Sequence, residues 1–118
     1  MANELKLNVS LEYAQDGISV ISNPSRVQID TVGGRATKLV QTIGTVEETL
    51  ILGDVAAVRM LLIRNLDATN FIELGVATGV YGVRVRAGNF ALYNPNGTTV
   101  FARANTASVK VEFTAIDA

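Results

Sequence analysis

Apolar side chains recur at every second residue in short runs along this chain. Leu5, Leu7, Val9, Leu11 and Tyr13 alternate with Glu4, Lys6, Asn8, Ser10 and Glu12. A period of two belongs to a β-strand with one buried and one wet face, because successive Cβ atoms point to opposite sides of a sheet. The same period returns at Leu39, Gln41 and Ile43, at Val83 and Val85, and at Val109, Val111 and Phe113. Glycine, asparagine and aspartate separate the runs. Asp16-Gly17 and Asn94-Pro95-Asn96-Gly97 have hairpin and turn chemistry, Asn23-Pro24-Ser25 breaks a strand, and Gly33-Gly34-Arg35 is a turn. The spacing of these signals, roughly 8–12 residues, predicts a single all-β domain over residues 1–118. The expected architecture is an antiparallel β-sandwich of about nine strands, jelly-roll-like, with Leu7, Val9, Leu11, Leu62, Leu74, Val85, Val111 and Phe113 in its core. Two segments stay open. Thr45 to Leu52 reads as a helical turn or as a strand, and Asp54 to Val58 accommodates a short helix with Asp54 as N-cap.

A chain of 118 residues with 48% hydrophobic content is long and apolar enough for its own core. Ten basic residues against eleven acidic ones leave a net charge of −1, which gives no general attraction to nucleic acid or an anionic membrane. It also leaves little repulsion between copies, so self-association is expected. The N-terminus enters a strand pattern at once, and no apolar run approaches the roughly 18 residues of a membrane span. Neither a secretory leader nor a membrane segment is expected.

The chain has no histidine and no cysteine. These residues supply most catalytic bases, thiolate nucleophiles and transition-metal ligands. Lys6, Lys38 and Lys110 sit in strands beside polar positions and look solvated rather than poised as bases. Glu47 and Glu48 are sequence neighbours, which a strand sends to opposite faces. Asn65, Asp67 and Asn70 offer one acid among amides, a set better suited to turning the chain than to holding calcium. Gly33-Gly34-Arg35-Ala36-Thr37-Lys38 lacks the spacing of a phosphate-binding loop. The expectation is a non-catalytic protein with no cofactor and no metal.

Two stretches stand out as surfaces. Arg59-Met60-Leu61-Leu62-Ile63-Arg64 is a continuous apolar run between arginines, which fits a strand buried on both faces or packed under an oligomer contact. Its outward pair, Met60 with Leu62 or Leu61 with Ile63, needs cover, and Arg59 and Arg64 would rim that patch. Arg84 and Arg86 fall on one face of a later strand without the interleaved aromatics that single-stranded nucleic acid favours. All eight are candidate interface residues.

Arg64-Asn65-Leu66-Asp67-Ala68-Thr69-Asn70-Phe71-Ile72-Glu73-Leu74-Gly75, then Arg86-Ala87-Gly88-Asn89-Phe90-Ala91-Leu92, then Ala102-Arg103-Ala104-Asn105-Thr106-Ala107 and Val111-Glu112-Phe113 carry a further pattern. From Gln41 onward the chain resembles small virion proteins of tailed bacteriophages, above all capsid decoration, or cement, proteins. The resemblance implies a homo-oligomer, trimer or dimer, made in the host cytoplasm and bound to the major capsid protein on the virion surface. It transfers no active-site residue. A tail, head–tail joining or fibre-associated part is the alternative within the same class. A glycan-binding module, with Tyr81 and Tyr93 as stacking platforms, is the alternative outside it.

Overall fold

The computed structural model describes residues 5–23, 26–32 and 34–118. Expectations that fall on Glu4, on Pro24 and Ser25, and on Gly33 lie outside the described residues. Twelve strands and no helix occur among the described residues, and every pairing is antiparallel. The chain divides into two compact units, Met1–Val32 and Gly33–Ala118.

The smaller unit holds two separate two-stranded antiparallel sheets. Strand β2 (Leu11–Gln15) turns into β3 (Ile18–Ser22) through Asp16 and Gly17, with φ of 50° and 82°. Positive φ at both turn positions matches the right-handed twist of the flanking strands, and aspartate and glycine tolerate it best. Further from the turn, β1 (Leu5–Leu7) pairs with β4 (Val27–Ile29). The single first strand expected from the sequence is therefore two, and this split helps raise the strand count above nine. Alternation holds, but burial does not follow from it. Val9 and Leu11 are exposed and Leu7 is half-buried, so none of the three is a core residue.

The larger unit holds two four-stranded sheets built from β5 (Ala36–Ile43), β6 (Glu48–Thr49), β7 (Val58–Asn65), β8 (Ile72–Gly75), β9 (Val83–Val85), β10 (Phe90–Tyr93), β11 (Phe101–Ala104) and β12 (Val109–Asp117). One sheet runs β10-β7-β12-β5 and the other β6-β11-β8-β9. Their inner faces share one apolar core, with Ile43, Leu61, Ile63, Val111 and Phe113 from the first sheet and Ile72, Leu74, Val85 and Ala102 from the second. Each large side chain buried there contributes about 1.5–3 kcal/mol relative to exposure. Leu74, Val85, Val111 and Phe113 occupy the core positions expected of them. Leu62 does not: it is half-buried on the far face of β7, because Leu61 and Ile63 take the inward phase. Of the open segments, only Glu48 and Thr49 form a strand, and Asp54 begins no helix; the Val55 amide instead donates to the Leu52 carbonyl across a turn at Gly53.

Three buried polar side chains tie this unit together, and each is satisfied. Gln41 Nε2 donates to Glu48 Oε1 and to the Thr49 carbonyl, and its Oε1 accepts from the Ile51 amide, all at 3.0 Å. Asp117 Oδ1 accepts from the Ala57 amide, while its other oxygen lies 3.9 Å from Arg35. Asn65 Nδ2 donates to the carbonyls of Asn70 and Val85, and its Oδ1 accepts from the Asp67 amide. A buried polar group is tolerated when its hydrogen bonds are made.

Candidate functional site

Strand β7 lies inside its sheet, and its outer face lies opposite the core. Leu62 is cross-strand partner to Leu92 and Thr114, Met60 to Ile116, and Arg64 to Phe90 and Glu112. Directly paired residues share a face. The outer surface of this sheet therefore gathers Met60, Leu62, Leu92 and Ile116, with Val40 beyond Glu112. Phe90 at its edge is 63% exposed and Val40 52%, whereas Met60 is 7% exposed. Arg64 sits 3.8 Å from Glu112 and remains mostly in water, so this ion pair marks a polar stripe rather than a strong clamp. Arg59 is the extra residue where the β7–β12 register shifts between Ile116 and Asp117, a bulge that turns the strand end. Of the run 59–64, then, Met60, Leu62 and Arg64 face outward, and Leu61 and Ile63 belong to the core.

Arg84 and Arg86 lie elsewhere. Arg84 is on β9, in the opposite sheet, and β9 ends at Val85, so Arg86 stands in the following turn rather than on the same strand face. The eight candidate residues are thus not one surface. What surrounds Arg84 was not foreseen. Its guanidinium lies 4.2 Å from the centre of the Phe71 ring, and its cross-strand partner is Glu73. Glu73 also pairs with Arg103, whose Nε donates to it at 3.2 Å. Arg103 in turn lies 4.3 Å from the centre of the Tyr81 ring. The Tyr81 hydroxyl donates to Glu47, which also accepts from the Gly79 amide at 2.8 Å. These two bonds, with Arg103 nearby, hold the Glu47 carboxyl below the usual range, and the same bond to Glu47 raises the Tyr81 phenol. Two cations over two rings with carboxylates between them make a charge-balanced lattice. Both Arg–ring contacts join residues far apart in sequence, so no local spacing signals them.

The Asn65–Asn70 loop turns as its amides suggest. Asp67 Oδ2 accepts from the backbone amides of Asn70 at 2.7 Å and Thr69 at 3.0 Å, which lowers its carboxyl below the usual value. No group of acids able to hold a metal occurs among the described residues. Between the β8–β9 connection and the turn after β10 lies an apolar cleft of about 270 Å³, lined by Leu74, Val76, Val80, Val83 and Tyr93. Burial pushes the Tyr93 phenol up to about 12. Tyr81 and Tyr93, the two aromatics of a sugar-stacking site, are thus respectively held by Arg103 and Glu47 and half-buried beside the core.

No protein-family model matches the chain, and no curated protein or solved structure does.

Proposed function

We propose that this chain is a non-catalytic capsid decoration protein of a tailed bacteriophage, with a jelly-roll body that docks on the major capsid protein at the virion surface. The observation that carries the docking is the outer face of the β7 sheet. A sheet in a two-layer domain normally turns polar side chains to water. Here Leu62, Leu92, Ile116, Val40 and Phe90 share that face, with Arg64, Glu112 and Lys38 among them. An apolar patch set among charged residues is the usual form of a protein contact.

The jelly-roll reading is supported by nested pairing. β8 pairs with β9, β7 with β10, β6 with β11 and β5 with β12, and the folded ribbon closes through β7–β12 and β8–β11 contacts. Eight strands in two such sheets are common in capsid and lectin domains. The phage assignment is supported by the resemblance of residues 64–75, 86–92 and 102–113 to virion proteins. The engaged states of Tyr81 and Tyr93 favour assembly over glycan binding. Binding only the assembled lattice stabilises that lattice by mass action, and many identical contacts add through avidity.

Quantitative mass spectrometry of purified virions tests the role. Hundreds of copies per particle support decoration, and the copy number of a single ring points to a connector or tail part. Phe90→Asp together with Leu62→Asp tests the face: capsid binding should be lost while the β-sheet spectrum is kept.

A further inference from the structure

The two sheets of the larger unit part at one end. Tyr93 is the cross-strand partner of Leu61, so its side chain lies on the inner side of its sheet. Leu74 and Val83 pair with each other and face the same core from the other sheet. Between them lies the cleft of about 270 Å³, bounded by the β8–β9 connection and by the turn after β10. Its walls are anchored. The Val80 amide donates to the Ala77 carbonyl at 3.2 Å and the Gly82 amide to the Leu74 carbonyl at 3.1 Å, which folds the connection into a narrow hairpin. A Cβ on Gly97 would come within 2.9 Å of Val76 Cβ, so the connection and the turn touch there. At the hairpin tip, Glu47 accepts from the Gly79 amide and the Tyr81 hydroxyl, which ties the connection to the segment between β5 and β6. Walls held in this way lower the ordering cost of binding a ligand.

We infer that this cleft binds a small uncharged molecule with a ring-sized apolar body and one hydrogen-bonding group, its body on Leu74 and Val83 and its polar group on the Tyr93 hydroxyl. The first support is charge. Among the described residues no acidic or basic side chain lines the cleft, so a charged ligand would lose its hydration with no counter-charge in return. The second is size. An apolar cavity of about 150 Å³ accepts benzene, so this one accommodates a substituted ring. The third is the polar group. Among the described residues the Tyr93 hydroxyl has no hydrogen-bond partner, and burial is the only cause that raises its pKa. No side-chain polar atom sealed from solvent lacks a partner among those residues, so this hydroxyl is open to a molecule that enters. The Tyr93 ring packs against the core and offers that hydroxyl rather than a stacking face. One polar group among apolar walls is the usual make-up of a small-molecule site. The backbone groups of the hairpin are already bonded to one another, which favours a free molecule over an added peptide strand. The cleft is separate from the outer β7 face and does not depend on the docking reading.

Titration of the isotope-labelled full chain with para-cresol, toluene and para-toluate, followed by its amide resonances in NMR, tests the inference. Saturable shifts are expected at Val76, Val80 and Val83 with para-cresol and toluene. Para-cresol should bind about five-fold more tightly, the effect of one net hydrogen bond. Para-toluate, with the same ring and a charge, should bind at least about ten-fold more weakly than para-cresol. Tyr93→Phe should keep toluene binding and reduce para-cresol to the same affinity. Ala77→Phe adds a ring at an exposed lining position and should abolish binding of both, with an unchanged thermal melt showing an intact body. If that variant melts early, the wild type and Tyr93→Phe decide by themselves. The absence of saturable shifts at these amides with millimolar ligand overturns the inference. So do shifts spread equally over Leu62 and Phe90, which would mark general apolar adhesion, and para-toluate binding as tight as para-cresol. A para-cresol preference that is missing in the wild type, or that survives Tyr93→Phe, overturns it as well.

Discussion

Asn65→Leu is the substitution that most directly tests how the body is held together. Asn65 is 2% exposed at the end of β7, and leucine is close to it in size, so the change removes hydrogen bonds rather than volume. Its bond to the Val85 carbonyl, 3.0 Å long, is fully buried and joins the two sheets. Losing the partner of a buried carbonyl costs about 1–3 kcal/mol. The bonds to the Asn70 carbonyl at 2.9 Å and from the Asp67 amide at 2.8 Å are partly buried. Water can replace the partner there, so each loss is about 0.5–1 kcal/mol. The total is about 3 kcal/mol, which for a unit of this size lowers the melting temperature by roughly 12–24 °C. Thermal denaturation followed by far-ultraviolet circular dichroism measures it, and hydrogen exchange at the Asp67 amide should accelerate in parallel. Asn65→Asp should not rescue, since it keeps the acceptor for Asp67 and turns an oxygen toward two carbonyls. A decrease under about 4 °C would refute the account, because a single unsatisfied buried carbonyl already exceeds it.

Gly75→Ala should disrupt the β8–β9 end of the body, because an added Cβ would lie 1.8 Å from the Val80 carbonyl oxygen; a wild-type urea midpoint would contradict this. Tyr93 should be among the last tyrosines to ionise. Its folded value near 12 stands above the unfolded value of about 10, so its contribution is complete below pH ~10 and is lost as pH rises toward 12, as ultraviolet titration against Tyr93→Phe should show. Glu47 and Asp67 act on the acid side. Both are lowered in the fold, so what they contribute is present above their unfolded values and is lost as pH falls through the folded ones; the Gly79 and Asn70 amide resonances should shift there first.

Much of the body was legible because strand alternation is a local property. Leu39, Gln41 and Ile43 point inward while Val40 points out, and Val109, Val111 and Phe113 line the core from β12. The Asp16-Gly17 hairpin and the Asp67 turn were legible too, since each depends on residues within a few positions of one another. The run Met60–Ile63 was legible as an interior strand and not in its phase. Four consecutive apolar residues fit either orientation, and the choice is made by the bulge at Arg59 and by Asn65 reaching Val85.

Composition and periodicity by themselves determined an all-β chain with antiparallel pairing, turns at named residues and no histidine or cysteine chemistry. They also marked one side of residues 5 to 13 as apolar. Only the tertiary structure decided what that side meets. The core formed between two sheets of residues 36–117, and Leu11 and Tyr13 stayed in water on a two-stranded ribbon. It alone brought Arg84 to Phe71 and Arg103 to Tyr81. The physical reason is range: alternation is imposed by the backbone within a strand, whereas burial and ring contacts depend on which distant strands pair.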